Sequence, residues 1–244
     1  MKQPPTENSF LLTLSSYRWI FLKDSEHRFV ILRQLASQPF RYFFRFLRSL
    51  FQKRNYQRDG DFFFYGLSSI DQFLEMAADP QTIRVVGFSY CEKPFDCPSG
   101  RFSADCLASQ ENPICRDCPL SKAKRLLSEK AVILSIPDVH MIGKTLLELQ
   151  AKNPKKQLLF LISSCPFSLT LFSKWAHFAS LKGIGVALSG RTCTTFDAFK
   201  LAEGGHKRFR THLNEQTKNR YEELLSSLSQ KVAGNRQDDN QARA

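Results

Sequence analysis

The sequence predicts an α/β protein: a small parallel sheet with crossover helices, a cysteine-rich loop, and an N-terminal helical and basic extension. Three observations carry that prediction. From residue 82 onward, short apolar runs alternate with amphipathic stretches of helical period. Five of the seven cysteines, Cys91, Cys97, Cys106, Cys115 and Cys118, fall within 28 residues. Residues 1–60 hold 11 Lys and Arg against 4 Asp and Glu, whereas the remaining 184 residues hold 24 against 19, so more than half of the net charge of +12 sits in the first quarter.

Composition narrows the class further. With 244 residues, 42% hydrophobic and 24% charged, the chain can bury a sizeable core, and a disordered or collagen-like chain is excluded. No apolar run approaches the roughly 18–20 residues that a spanning helix needs. The first residues, MKQPPTENSFLLTLSS, lack the basic segment and apolar run of a secretory signal. The expected location is the cytoplasm, in solution or against a membrane surface. Seven cysteines there are not a disulfide framework, because the cytoplasm keeps thiols reduced and an odd number cannot fully pair.

Element by element, residues 1–60 read as a basic region with an amphipathic helix. In its second half Phe40, Phe43, Phe44, Leu47, Leu50 and Phe51 recur at three- and four-residue steps, with Arg41, Arg45 and Arg48 on the other side. Such a Phe stripe either covers the protein's own core or lies in a bilayer interface, with arginines against anionic headgroups. The second possibility makes Phe40–Arg54 a contact for an anionic membrane surface. Stacking on single-stranded nucleic acid fits less well, since the aromatics are confined to one helical face.

Residues 61–230 read as the cysteine-rich α/β domain. Strands are expected at 82–90 (TIRVVGFSY), 131–136 (AVILSI), 157–163 (QLLFLIS) and 183–188 (GIGVAL), because short continuous apolar runs suit strands buried on both faces. Helices are expected at 139–152, 166–181 and 194–203, with a short one near 120–129 and an amphipathic one around Tyr221, Leu224, Leu225 and Leu228. Residues 231–244 read as a polar tail.

In an open parallel sheet, ligands gather outside the carboxyl ends of the strands. Cys91, Cys165 and Cys193 each follow an expected strand, so three strands would each deliver one thiol to the same rim. The plain alternative is that Cys165 and Cys193 are small buried hydrophobes. Cys97, Cys106, Cys115 and Cys118 include one Cys-x-x-Cys pair, in which a single turn can hold both sulfurs on one metal. The eight-residue spacings on either side of Cys106 match no standard zinc finger or ferredoxin run, so the metal stays open between an iron–sulfur cluster and zinc. A redox dithiol at Cys115 and Cys118 leaves the other thiols unexplained. Pro follows cysteine at Cys97, Cys118 and Cys165, where it favours chain reversal and echoes the Cys-Pro that closes a ferredoxin run.

Arg191, Thr192 and Thr194 stand between a strand and a helix, where backbone N–H groups, hydroxyls and a guanidinium could bind a small anionic ligand; a surface arginine beside a threonine N-cap is the alternative. Asp138 and His140, just past the strand at 131–136, are candidate acid, base or ligand on the same rim, although Asp138 also suits an N-cap. The histidines at 27, 177, 206 and 212 make no zincin pattern.

The run CPSGRFSADC…CRDC from Cys97 to Cys118, the βα unit after it, Cys165 after an apolar strand, and the segment GVALSGRTCTTF ending at Phe196 together resemble the uncharacterised family called domain of unknown function 116. The resemblance covers about residues 85–205. It implies a module of seven cysteines suspected of metal or iron–sulfur binding, with no assigned reaction. Where that family is associated with a Cys-x-x-Cys-Gly-x-Cys type of run, this chain has Cys115-Arg116-Asp117-Cys118-Pro119-Leu120. The sequence thus points to a cysteine-ligated metal protein, iron–sulfur before zinc, with redox or cluster-dependent activity on an unknown substrate. The alternative is a non-catalytic zinc-stabilised binding module that contacts a membrane surface or nucleic acid through its basic helix.

Overall fold

The computed structural model describes residues 39–51 and 56–241, with isolated positions 14, 15 and 18 before them; near the ends of the two terminal helices only the backbone is described. The first helix, α1 (Pro39–Phe51), precedes a hairpin of β1 (Gln57–Asp59) and β2 (Phe62–Tyr65). Asp59 faces Phe62 across a two-residue turn, and Gly60 takes the positive φ of 58° that the turn requires. Then come α2 (Ile70–Ala78), β3 (Thr82–Ser89), a single 3-10 turn (Tyr90–Glu92), α3 (Pro113–Asp117), α4 (Pro119–Leu127), β4 (Val132–Ile136), α5 (Val139–Lys152), β5 (Gln157–Ser164), α6 (Pro166–Ala179) and β6 (Lys182–Ala187). The chain ends through β7 (Ser189–Gly190), α7 (Phe196–Ala202), β8 (Thr211–His212) and α8 (Glu215–Gln241).

Six strands form one sheet in the order β1-β2-β6-β5-β3-β4. The four strands expected from the apolar runs are all present and run parallel to one another, including β5 with β6. The antiparallel β1–β2 hairpin on the edge of β6 was not expected. Its FFFY run, four apolar residues without alternation, is buried on both faces and carries no period to identify it. The hairpin begins at Gln57, ahead of residue 61.

Side chains leaving the strands alternately build two cores. Phe160 and Ile162 of β5 meet Ile142, Leu146 and Leu147 of α5 and Leu169, Phe172 and Trp175 of α6. Leu159 and Leu161 meet Phe73 of α2, Leu120, Ala123 and Leu127 of α4, and Tyr221, Leu224 and Leu228 of α8 on the opposite face. The β3-to-β4 connection therefore crosses one face of the sheet while the β4-to-β5 connection crosses the other. Strand order reverses between β3 and β5, and their carboxyl ends flank a crevice.

At the C-terminus the expected tail begins as helix: α8 runs to Gln241, and Val232 is buried against the α4 side of the sheet. Polar composition alone does not stop a helix, and no proline interrupts this one.

Helix α1 lies against α6, with Phe46 on the edge of the α5–α6 core. Its aromatic stripe faces away: Phe40, Phe43 and Phe44 are 80%, 57% and 66% exposed, and Leu47 is half-buried. The side chains of Arg41, Leu50 and Phe51, and residues 52–54, lie outside the described set. Among the described residues no helix is long and apolar enough to cross a membrane.

At Gly183 the β5–β6 contact is so close that an added Cβ would overlap the Phe160 carbonyl and ring. Gly183→Ala should lower the unfolding free energy by about 2–4 kcal/mol, measured by urea denaturation, because neither neighbour is free to move.

A candidate thiol centre at the carboxyl edge of the sheet

Three chain turns bring sulfur to the crevice. After β3, the 3-10 turn opens with Ser89, whose hydroxyl accepts from the Cys91 N–H at 3.3 Å. After β5, Cys165 is the N-cap of α6 and Pro166 occupies its first turn, a position where proline's missing N–H costs nothing. After β6 and β7, Cys193 is tucked under α7, its sulfur 3.6 Å from the Ala198 carbonyl. All three are buried.

The three sulfurs meet at Cys165. Hydrogen bonds from the Cys193 and Cys91 thiols, with help from the Lys207 ammonium, hold the Cys165 thiol well below its ordinary pKa despite burial. Cys91 and Cys193 are pushed up, first by their side-chain interaction with Cys165 and then by burial. Burial works to lower the Lys207 pKa, but the three sulfurs, Cys165 foremost, outweigh it and raise it. Lys207 Nζ stands 3.1 Å from Cys165 Sγ. The site therefore gathers three buried sulfurs and one ammonium at the N-terminal end of a 14-residue helix, a setting that favours the thiolate form of Cys165.

This donor set fits a sulfur-bound metal in type. Two sulfurs at about 2.3 Å from one tetrahedral ion stand roughly 3.8 Å apart, close to the span of a thiol–thiolate hydrogen bond. As they stand, the two outer thiols turn toward Cys165 rather than toward a common point, and among the described residues no three Cys, His, Asp or Glu side chains are grouped to hold a metal ion. Beside the sulfurs is a small cavity of about 40 Å³, lined also by Asp138, Ser168 and Glu203.

Other expected residues divide. Asp138 lines that cavity, but its carboxylate is engaged as the N-cap of α5, accepting from Met141 N–H at 2.8 Å. His140 is buried on α5 and does not line the cavity. Arg191 stacks on Phe209 at 4.0 Å, Thr194 is exposed, and Thr195 rather than Thr192 or Thr194 caps α7. No described contact joins Arg191 to either of those threonine side chains.

In the insert between β3 and β4, Cys118 is pushed up by burial, with Cys106 and Cys97 close enough to add to the effect. Cys115 is buried one turn before it, and the Cys118 N–H donates to the Cys115 carbonyl at 3.3 Å. Cys118, like Cys165, is an N-cap followed by proline. Two of the three Cys-Pro pairs are thus helix starts, which brings each sulfur to a helix N-terminus.

Lys207 and Glu92 were not anticipated. Lys207 lies in a polar segment with no sequence signal. Glu92 had one, a charged residue directly after a buried strand. Its carboxyl is buried, receives the Ser163 hydroxyl, and is pushed up to about 8, by burial first and then by the nearby Cys165 against the Ser163 bond. The folded state therefore binds a proton that the unfolded chain releases above the ordinary glutamate pKa, and stability falls as pH rises from about 4.5 toward 8. In reduced, metal-free protein, Glu92→Gln should match wild type near pH 4.5 and exceed it by a few kcal/mol at pH 8.5 in urea titrations, at about 1.4 kcal/mol per pH unit. A constant difference across pH would refute the assignment.

No family model matches the chain, and neither a curated protein nor a solved structure shows significant similarity to it, so function is read from the geometry.

Proposed function

We propose that this is a cysteine-ligated metal-binding protein in which Cys91, Cys165 and Cys193 hold an iron–sulfur cluster at the carboxyl edge of the sheet, for redox or cluster-dependent chemistry. The observation that carries the reading is the convergence, beyond the strand ends, of the Cys91 and Cys193 thiols on the Cys165 sulfur. Iron–sulfur is preferred to zinc because the donors are all sulfur and a cation already hydrogen-bonds one of them, an arrangement that stabilises a negatively charged cluster. Three ligands would leave one position open toward the cavity that Asp138 and Ser168 line. Cys97, Cys106, Cys115 and Cys118 form a second, structural group; the polar insert around them has few apolar side chains with which to order itself.

Protein purified or reconstituted without oxygen should be brown, with broad visible absorption, iron and acid-labile sulfide. Cys165→Ser should lose most of that absorption, whereas a single serine at Cys97 or Cys106 should mainly lower the protease resistance of residues 91–120. Colourless protein carrying zinc would replace the cluster with a zinc centre, and protein binding neither metal would overturn the reading.

We also infer peripheral attachment to anionic membranes through α1. The supporting observation is that α1 rests on α6 and turns Phe40, Phe43 and Phe44 outward, with the exposed Arg48 on the same helix. Full insertion of a Phe side chain contributes about 1.5–3 kcal/mol, and an arginine near an anionic surface about 1 kcal/mol. The protein should float with anionic vesicles at low salt, less so at high salt, and Phe43→Glu should weaken partitioning at least about tenfold. Wild-type protein that stays in the soluble fraction with anionic vesicles would exclude the attachment.

A further inference from the structure

We propose that Arg101 is the positioning residue of the thiol centre: its guanidinium clamps the main chain of Cys91 and of Lys207 together and so sets both against Cys165. This rests on the reading of Cys91, Cys165 and Cys193 as a ligand-holding centre.

Arg101 lies in the cysteine-rich insert, between Cys97 and Cys106, and all four of its acceptors are main-chain carbonyls. Nε donates to Lys93 O at 3.3 Å and Nη2 to Cys91 O at 3.4 Å, both on the turn after β3. Nη1 donates to Lys207 O at 2.5 Å and Nη2 also to Phe209 O at 2.7 Å, both on the segment that carries the Cys165-bound ammonium. These two segments lie more than a hundred residues apart in sequence, and a planar fork with five N–H donors can bridge them at once. The rings of Phe95 and Tyr90 stand 4.2 and 5.5 Å from the guanidinium carbon and fix its plane.

The grip is reciprocal. Lys93, two residues after Cys91 and 1% exposed, donates from Nζ to the carbonyls of Ser103 and Asp105 at 3.1 and 3.0 Å, on the far side of Arg101. Phe102 meets Tyr90 edge-on at 5.0 Å, and Gly205 approaches its ring so closely that an added Cβ would stand 3.0 Å away. The insert, the β3 turn and the 205–209 segment therefore move as one unit at the thiols. Displacing Arg101 releases the Lys207 carbonyl and, with it, the hold on the ammonium 3.1 Å from Cys165.

The test uses reduced, metal-free, full-length protein under anaerobic conditions, with two readouts. One is cobalt(II) titration followed by thiolate-to-cobalt absorption, where the fraction lost in Cys91→Ser/Cys165→Ser/Cys193→Ser belongs to the rim thiols. The other is acylation of Lys207 by an N-hydroxysuccinimide ester, located by mass spectrometry, with Lys122 as internal control. Arg101→Ala and Arg101→Lys should each weaken rim cobalt binding about tenfold and speed Lys207 acylation several-fold, leaving Lys122 unchanged. The lysine variant keeps the charge without the fork, and keeps the test open if the alanine variant misfolds. Lys207→Met should weaken cobalt binding comparably, and Arg101→Lys/Lys207→Met no further than the more severe single variant, because both act on one contact. Folded Arg101→Lys protein with wild-type cobalt affinity and Lys207 protection, or single-variant effects that multiply, would overturn the proposal. If wild type shows no rim cobalt absorption the metal reading fails, and Lys207 acylation still decides the role of Arg101.

Discussion

Two crossovers that leave β3 and β5 toward opposite faces of the sheet open a gap at its carboxyl edge, and that gap is the space Cys91 and Cys165 share. Nothing covalent holds the thiols there. The parallel register of β3, β5 and β6 places them, because it brings the strand ends to one level, with Phe88 beside Ser163 and Ser163 beside Val186. Close passage of β5 and β6 at Gly183, and the alternation of Leu and Phe that seats a core on each face, keep that level. The site inherits its precision from the sheet and its chemistry from the loops.

Burial then decides the electrostatics. A lone thiolate in this environment would be protonated, since removing charge from water without a partner is unfavourable. Here two thiols, a backbone N–H and an ammonium draw the Cys165 pKa down, and the contact with Cys165 pushes those of the outer thiols up. The same enclosure leaves Glu92 holding its proton one residue from Cys91. A metal entering this pocket would have to displace the protons on Cys91 and Cys193, so its affinity depends on pH.

The strands from 82 onward and the three rim cysteines were legible because both obey local rules: unbroken apolar runs mark buried parallel strands, and the residues just past the end of such a strand lie at the rim. The β1–β2 hairpin was not, since FFFY offers no periodicity and its burial comes entirely from β6 and the helices on either face. Asp138 reads equally as acid or cap from sequence, and only its bond to Met141 N–H separates the two roles. Lys207 and Arg101 were invisible for a deeper reason. Each acts through a contact across scores of residues, and the hydrogen bonds of Arg101 all go to main-chain carbonyls, which have no sequence signature.

The thiol centre also has a direction in time. Its parts are strung along the chain from Cys91 to Lys207, and the clamp at Arg101 closes only on carbonyls near Lys207 and Phe209. During synthesis, β3, the insert and β4 leave the ribosome before the rest of the site, and Cys91 must wait through β5, β6, β7 and α7 for the last of its partners. Until then its thiol and the insert cysteines stand without the sheet edge that later encloses them. A metal bound at the rim would thus be delivered only in the last stage of synthesis or after release, and a nascent chain stalled before residue 207 presents its sulfurs without the finished enclosure.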